Sequence, residues 1–205
     1  MKITTIGRGT IGGTLGRLWA SAGHEVTELG RDGGDAADAD VVLLAVPGEA
    51  VPDALASVTG LRGKVVLDAT NRVGVVEHPA PAGYRSIAEY VKAQTDGPTA
   101  KAFNLNFGSL LDQAATASSR PNNIWVGDQG ARAAVEQLTR DIGMEPLHAG
   151  PLENAAIQEE FAKMLVAMLR DTGGPLFYRF AAPQNFSGAP PADVTSDRSG
   201  PRREV

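Results

Sequence analysis

Three glycines, Gly7, Gly9 and Gly12, are the residues whose spacing best suits chemistry. The run Gly7-Arg8-Gly9-Thr10-Ile11-Gly12 follows a short β-forming stretch, Lys2 to Ile6. It opens a segment in which Ile11, Leu15, Leu18, Trp19 and Ala22 recur at helical spacing, with Gly23 as a C-terminal cap. In that context each glycine has its own role. Gly7 turns the chain, Gly9 lets the backbone approach a pyrophosphate, and Gly12 lets helix and sheet pack closely. The N–H groups and dipole of the helix start supply what phosphates need. With 24 glycines in 205 residues the motif alone is a weak signal, and a glycine-rich turn without ligand is the competing reading. The second strand, Glu25 to Leu29, decides for a dinucleotide site, because it ends about 23 residues after Gly7, the separation that the fingerprint requires.

Cofactor choice is read at the end of that strand, where an NAD site places an acid on the ribose hydroxyls. Gly30 and Arg31 stand there. No carboxylate repels a 2′-phosphate and a guanidinium lies beside it, so NADP(H) is favoured over NAD. Arg8, inside the turn, is positioned to close on the same phosphate from the other side. A register slip of two residues would bring Glu28 to the acid's place and reverse the preference.

Those residues need a sheet behind them. Val41 to Val46 is a continuous apolar run of the kind found in strands covered on both faces, ended by Pro47. Lys64 to Asp68, Thr99 to Phe103, Asn123 to Gly127 and Glu145 to His148 read as further strands. Helical stretches around 49–58, 86–94 and 106–115 alternate with them, and Ala131, Val135, Leu138 and Ile142 form another helical stripe. The rhythm predicts an α/β fold with a doubly wound, mostly parallel Rossmann sheet. Only Arg31 to Asp40 connect the second and third strands, too few for a proper crossover helix, which leaves the adenosine end open and predicts modest affinity.

From Pro151 the pattern changes. Ile157, Phe161, Met164, Leu165, Met168 and Leu169 mark one wide face of a long helix, which its own domain or a partner subunit must cover. The expected organisation is a nucleotide-binding domain over 1–150, a C-terminal helix over 151–182 that makes a homodimer contact, and a poorly packed tail over 183–205 rich in Pro, Gly, Ser and Asp.

Composition excludes other classes. Hydrophobic residues make up 42% and charged residues 21%, enough apolar material for a core. A net charge of −5 without a basic block argues against nucleic acid or an anionic membrane as partner. With no cysteine, disulfides, thiolate metal sites and thiol nucleophiles are excluded. His24, His78 and His148 form no cluster with acids, so no metal site is expected, and no acidic companion is evident for His24. The short lead-in to the turn leaves no room for a secretory leader, and no apolar run approaches the roughly 20 residues of a membrane span. A cytoplasmic location is the expectation.

With the turn, Gly30-Arg31, Ala69-Thr70-Asn71, Lys101-Ala102-Phe103-Asn104 and Gly150-Pro151-Leu152-Glu153-Asn154-Ala155, the chain resembles the NADP oxidoreductase, coenzyme F420-dependent family over about residues 1 to 170. The resemblance implies a small Rossmann protein passing a hydride between NADPH and a deazaflavin. It also implies a Thr in the glycine turn and a Ser-Arg pair after the second strand as holders of the 2′-phosphate; this sequence has Arg8 and Gly30-Arg31 at those positions. Where the family's deazaflavin reductases usually carry Pro-Trp-Glu-His, the chain has Pro47-Gly48-Glu49-Ala50.

Hydride transfer between two planar rings needs stacking at about 3–3.5 Å and exclusion of water, with no side-chain nucleophile. The nicotinamide is expected over the carboxyl ends of the strands. The acceptor-pocket candidates are Pro47, Asn71, Asn104, Asn106 and Phe107. Cofactor-binding candidates are Gly7, Arg8, Gly9, Thr10, Ile11, Gly12, Gly30, Arg31, Val46, Pro47 and Asn71. Asn71 and Asn104 equally suit turns in which they bond their own backbone, and residues such as Phe103 and Phe107 are more often core than cofactor lid. Two other functions compete. An imine or 3-hydroxy-acid reductase shares the first half of the fold, but the Lys-x-x-x-Asn helix of the hydroxy-acid enzymes has no counterpart, Lys163 being followed by Ala167. A non-catalytic NADPH-binding or sensor module is the third reading, suggested by Gly48 and Ala50.

Overall fold

A computed structural model of the protein describes residues 1–73 and 79–183. Seven strands form one sheet: β1 (Lys2–Ile6), β2 (Glu25–Leu29), β4 (Val41–Leu44), β6 (Val65–Asp68), β7 (Thr99–Lys101), β8 (Asn122–Gly127) and β9 (Glu145–His148). Their order is β2-β1-β4-β6-β7-β8-β9. Two further short strands, β3 (Gly34–Asp35) and β5 (Val58–Thr59), pair with each other outside it. No helix fills the stretch between β2 and β4, as its length predicts.

Strand β4 shows why the sheet is covered twice. Val41 and Leu43 point into the cluster built with Leu15 and Trp19 of helix α1 (Thr10–Ser21) and Leu138 of α4 (Arg132–Asp141). Val42 and Leu44 point into the opposite cluster with Val51 and Leu55 of α2 (Val51–Ala56) and Ile87 and Val91 of α3 (Ile87–Thr95). A residue period of two puts neighbours on opposite faces, so a strand buried on both sides must be apolar throughout. Trp19 is fully buried, stacks edge-on against Phe103 at 5.7 Å, and donates through Nε1 to the carbonyl of Leu138 at 2.9 Å.

Three features depart from the expected pattern. Strand β8 runs antiparallel to β7, with Ala100 opposite Gly127, because the connection between them stays at the carboxyl edge instead of crossing back; β9 is then parallel to β8. The stretch expected as a helix around 106–115 is a 3-10 helix over Gly108–Thr116, and no side chain caps its start. His24 does have an acidic companion: its Nε2 lies 2.9 Å from Asp141 Oδ2, on a helix too distant in sequence for local pattern to reveal. His148 stacks on Trp125, and His78 lies outside the described residues.

The C-terminal helix α5 (Ala155–Thr172) packs against the domain through Ala155, Gln158, Glu159, Ala162 and Leu165. Half of the expected apolar stripe thereby stays outside: Ile157 is 68% exposed, Met164 46% and Met168 40%. Among the described residues no helix is long and apolar enough to cross a membrane. The expected tail lies outside the described residues beyond Pro183.

Candidate functional site

The glycine turn is built by close approach. Gly7 has φ +105°, and a β-carbon there would stand 2.3 Å from the carbonyl oxygen of Ala45 at the end of β4. At Gly12 a β-carbon would meet the carbonyl oxygen of Gly7 at 2.0 Å, so α1 can start where it does only because residue 12 has no side chain. Gly9 is the opposite case: no atom lies within 4 Å of its would-be β-carbon. The backbone of Gly9 caps α1 without any side-chain hydrogen bond, and no acid occupies the first turn. Helix α3, by contrast, is capped by Ser86, whose Oγ accepts from Glu89 N at 3.1 Å. The first turn of α1 therefore presents N–H donors and a positive dipole end to open space, a cradle that fits a diphosphate.

Strand register fixes the cofactor-choosing position. Ile6 pairs with Leu29, and Gly7 N donates to the carbonyl of Leu29 at 3.0 Å, so Gly30 and Arg31 sit directly beside the turn. Glu28 pairs across from Thr5, one step back, and its carboxylate lies toward Gly16 on α1: a β-carbon at Gly16 would stand 2.8 Å from Glu28 Oε1. The slipped register that would make Glu28 the ribose acid is not the one formed.

Beyond the turn, a cleft of about 210 Å³ opens between the carboxyl edge of the sheet and α5. Ile11, Asn71, Asn104, Asn106 and Phe107 line it together with Leu165. Four of the five acceptor-pocket candidates thus converge. Pro47 does not: it leads into the 3-10 turn Gly48–Ala50, and Val46, beside Gly7, is likewise outside the cleft lining.

The two asparagines hold each other. Asn104 Nδ2 donates to Asn71 Oδ1 at 2.9 Å, and Asn71 Nδ2 donates to the carbonyl of Asn104 at 2.6 Å. They are cross-bonded between two loops, not bonded to their own turns. Gln158 of α5 completes the set by donating to Asn104 Oδ1 at 2.7 Å. Asn106 donates to the carbonyl of Asn122 and to the Tyr178 hydroxyl, and its buried Oδ1 has no partner among the described residues. Burial pushes the Tyr178 phenol well above its ordinary pKa, so it stays protonated. Phe103, which precedes Asn104, is buried with φ +62°, a conformation rare for a side chain of that size. It reads as core and as the bend that aims Asn104 into the cleft.

Under this floor lies a charged cluster that local pattern does not reveal. Lys101 is fully buried; its Nζ stands 2.7 Å from Asp68 Oδ2 and 2.9 Å from Glu159 Oε1 and donates to the carbonyl of Thr70 at 2.8 Å. Burial alone would lower the lysine's pKa, but the two carboxylates outweigh it and raise it. Glu159 also pairs with Arg72 at 2.8 Å and accepts from Ile87 N at 2.9 Å. In the sequence Lys101 stands out only as part of a motif. Gln158 and Glu159 carry no local signal of burial, because the polar partners that bury them lie on β7, the Arg72 loop and the start of α3.

A family model described as NADP oxidoreductase, coenzyme F420-dependent, matches residues 30–72. The chain resembles that family. In fold, it is similar to a protein from Arthrobacter sp. FB24 designated an F420-dependent NADP reductase, at 22% identity with a TM-score of 0.76, covering 89% of this chain and 100% of that one. A hypothetical protein of Sinorhizobium meliloti is similar at 24% identity and a TM-score of 0.62, covering 76% and 88%. A reductive aminase from Aspergillus terreus, solved with NADPH and ethyl levulinate, is similar at 16% identity and a TM-score of 0.60; the alignment covers 84% of this chain and 62% of that longer one. At these identities the structural matches establish the Rossmann-like fold, and the family match bears on the segment that starts at Gly30.

Proposed function

We propose that the protein is an NADP(H)-dependent oxidoreductase that exchanges a hydride with a deazaflavin or a similar small acceptor. The observation that carries this is the unobstructed edge at Gly9: a helix start with no side-chain cap and no acid, where a β-carbon on Gly9 would meet no atom within 4 Å, set next to Gly30-Arg31 by the pairing of β1 with β2. The amides of Thr10, Ile11 and Gly12 would hold the diphosphate, and Arg31 would bind the 2′-phosphate. Asn106 Oδ1, an acceptor without a partner among the described residues, suits the carboxamide N–H of the nicotinamide. When bound, NADPH supplies the hydride. The chain's own part is to fix the ring over the cleft with the Asn71–Asn104 pair, and to exclude water with Phe107 and Leu165.

A small carbonyl or imine acceptor is the second reading, favoured by the volume of the cleft: about 210 Å³ lies below the usual range of about 300–1,000 Å³ for ligand pockets. Stopped-flow mixing of NADPH-loaded protein with a deazaflavin, and separately with a panel of small carbonyls and imines, distinguishes them. Rapid loss of nicotinamide absorbance with the deazaflavin supports the first reading, and loss only with the small acceptors supports the second. No oxidation by any acceptor despite NADPH binding would leave a binding module. We further propose a homodimer that covers Ile157, Met164 and Met168; sedimentation at a monomer's mass at micromolar concentration would remove that claim.

A further inference from the structure

Turn and strand end meet through one side chain. A β-carbon at residue 30 would stand 2.3 Å from Arg8 Nη2, 2.8 Å from Cζ and 2.9 Å from Nε. The guanidinium of Arg8 therefore occupies the volume that any side chain at residue 30 would take, at the very position where dinucleotide sites place the group that reads the adenosine ribose. A cation is delivered there from the turn instead of from the strand.

Its charge is available. Arg17, Arg62, Arg72, Arg85, Arg132 and Arg140 each hold a carboxylate. Among the described residues Arg8, Arg31, Arg120 and Arg170 have no such partner, and of these only Arg8 and Arg31 adjoin the glycine turn and the end of β2. The nearest acid along the strand, Glu28, lies toward Gly16. One unneutralised guanidinium thus lies across Gly30 and a second arginine follows it in the chain, and a group carrying two negative charges is the ligand that would compensate both.

We infer that Arg8 is a specificity-determining residue for NADP over NAD, and that residue 30 is glycine because the Arg8 guanidinium lies across it. The inference rests on the proposed NADP(H) site and goes beyond it in making two positions one device: the missing side chain at 30 has value only while Arg8 is present.

Gly30→Ala is the decisive variant. The backbone at residue 30 is outside the left-handed region, so alanine is conformationally acceptable, and the three atoms nearest the new methyl all belong to Arg8. Calorimetric titration with NADPH and with NADH is carried out on the wild type, Arg8→Ala, Gly30→Ala and the double variant, each checked by circular dichroism. Arg8→Ala and Gly30→Ala should each weaken NADPH about tenfold or more while leaving NADH within about twofold, since one charge-assisted contact to phosphate is at stake. In the double variant, Gly30→Ala should add nothing to Arg8→Ala, because nothing remains to displace. Equal losses for both nucleotides, or additive losses in the double variant, overturn the inference alone. A wild type that binds neither nucleotide overturns the NADP(H) reading and this inference with it.

Discussion

The two ends of the carboxyl edge use the same chemical groups in opposite ways. At the α5 junction the buried charges are matched inside the chain: Lys101 lies between Asp68 and Glu159, and Arg72 closes on Glu159. At the glycine turn the cationic groups are unmatched among the described residues and the helix start is uncapped. A guanidinium or ammonium serves stability when its counter-charge is supplied by the chain. It serves binding when that counter-charge is left for a ligand to bring.

The comparison breaks most sharply at Lys101. Lys101→Met leaves two buried carboxylates facing each other and should cost about 3–5 kcal/mol in urea unfolding. Because the lysine's pKa is raised in the folded state, its contribution is fully present below the ordinary value of 10.5 and is lost only as pH rises through the higher folded value. The stability gap between wild type and variant should thus be level between about pH 7 and 10 and shrink above that. A gap that stays level well above the lysine's ordinary value of 10.5 would show that the ammonium charge does not set the balance.

The glycines sharpen the contrast within one turn. Gly12→Ala forces a methyl into the Gly7 carbonyl and should destabilise by about 1–3 kcal/mol. Gly9→Ala meets no atom within 4 Å, so it should change stability by about 1 kcal/mol or less while NADPH binding falls. Loss of stability at both positions would mean that the open edge is not reserved for a ligand. Arg31→Ala should weaken NADPH by up to about tenfold and leave NADH almost unchanged, as seen by nucleotide fluorescence titration; equal losses would remove Arg31 as a phosphate reader. The smallest effect on folding is expected from Met168→Glu, within about 0.5 kcal/mol, although it should turn a sedimenting dimer into a monomer.

How much of this is legible in the sequence follows from the range of each interaction. Strands β1, β2 and β9 have the expected bounds, because short alternating or β-rich runs carry their own signal. The turn is legible for the same reason, Gly7 and Gly12 each answering a contact a few residues away or on the neighbouring strand. Asn71 and Asn104 reach one cleft by the rule that loops converge at the strand ends, but their bonding to each other spans 33 residues and leaves no local trace. The same holds for His24 with Asp141 and for Glu159 with Lys101. The reversed direction of β8 is hidden because apolar patterning reports burial and not polarity of the chain.

The clamp on α5 also governs how two copies can join. Glu159 ties that helix to Lys101, Arg72 and the start of α3, so releasing it would strand buried charge. Exchange of the helix between subunits is accordingly the expensive route. The proposed association through Ile157 and Met168 would then be rigid-body docking, expected to reverse on dilution without a slow unfolding phase and to leave each subunit's cleft floor as it stands in one chain.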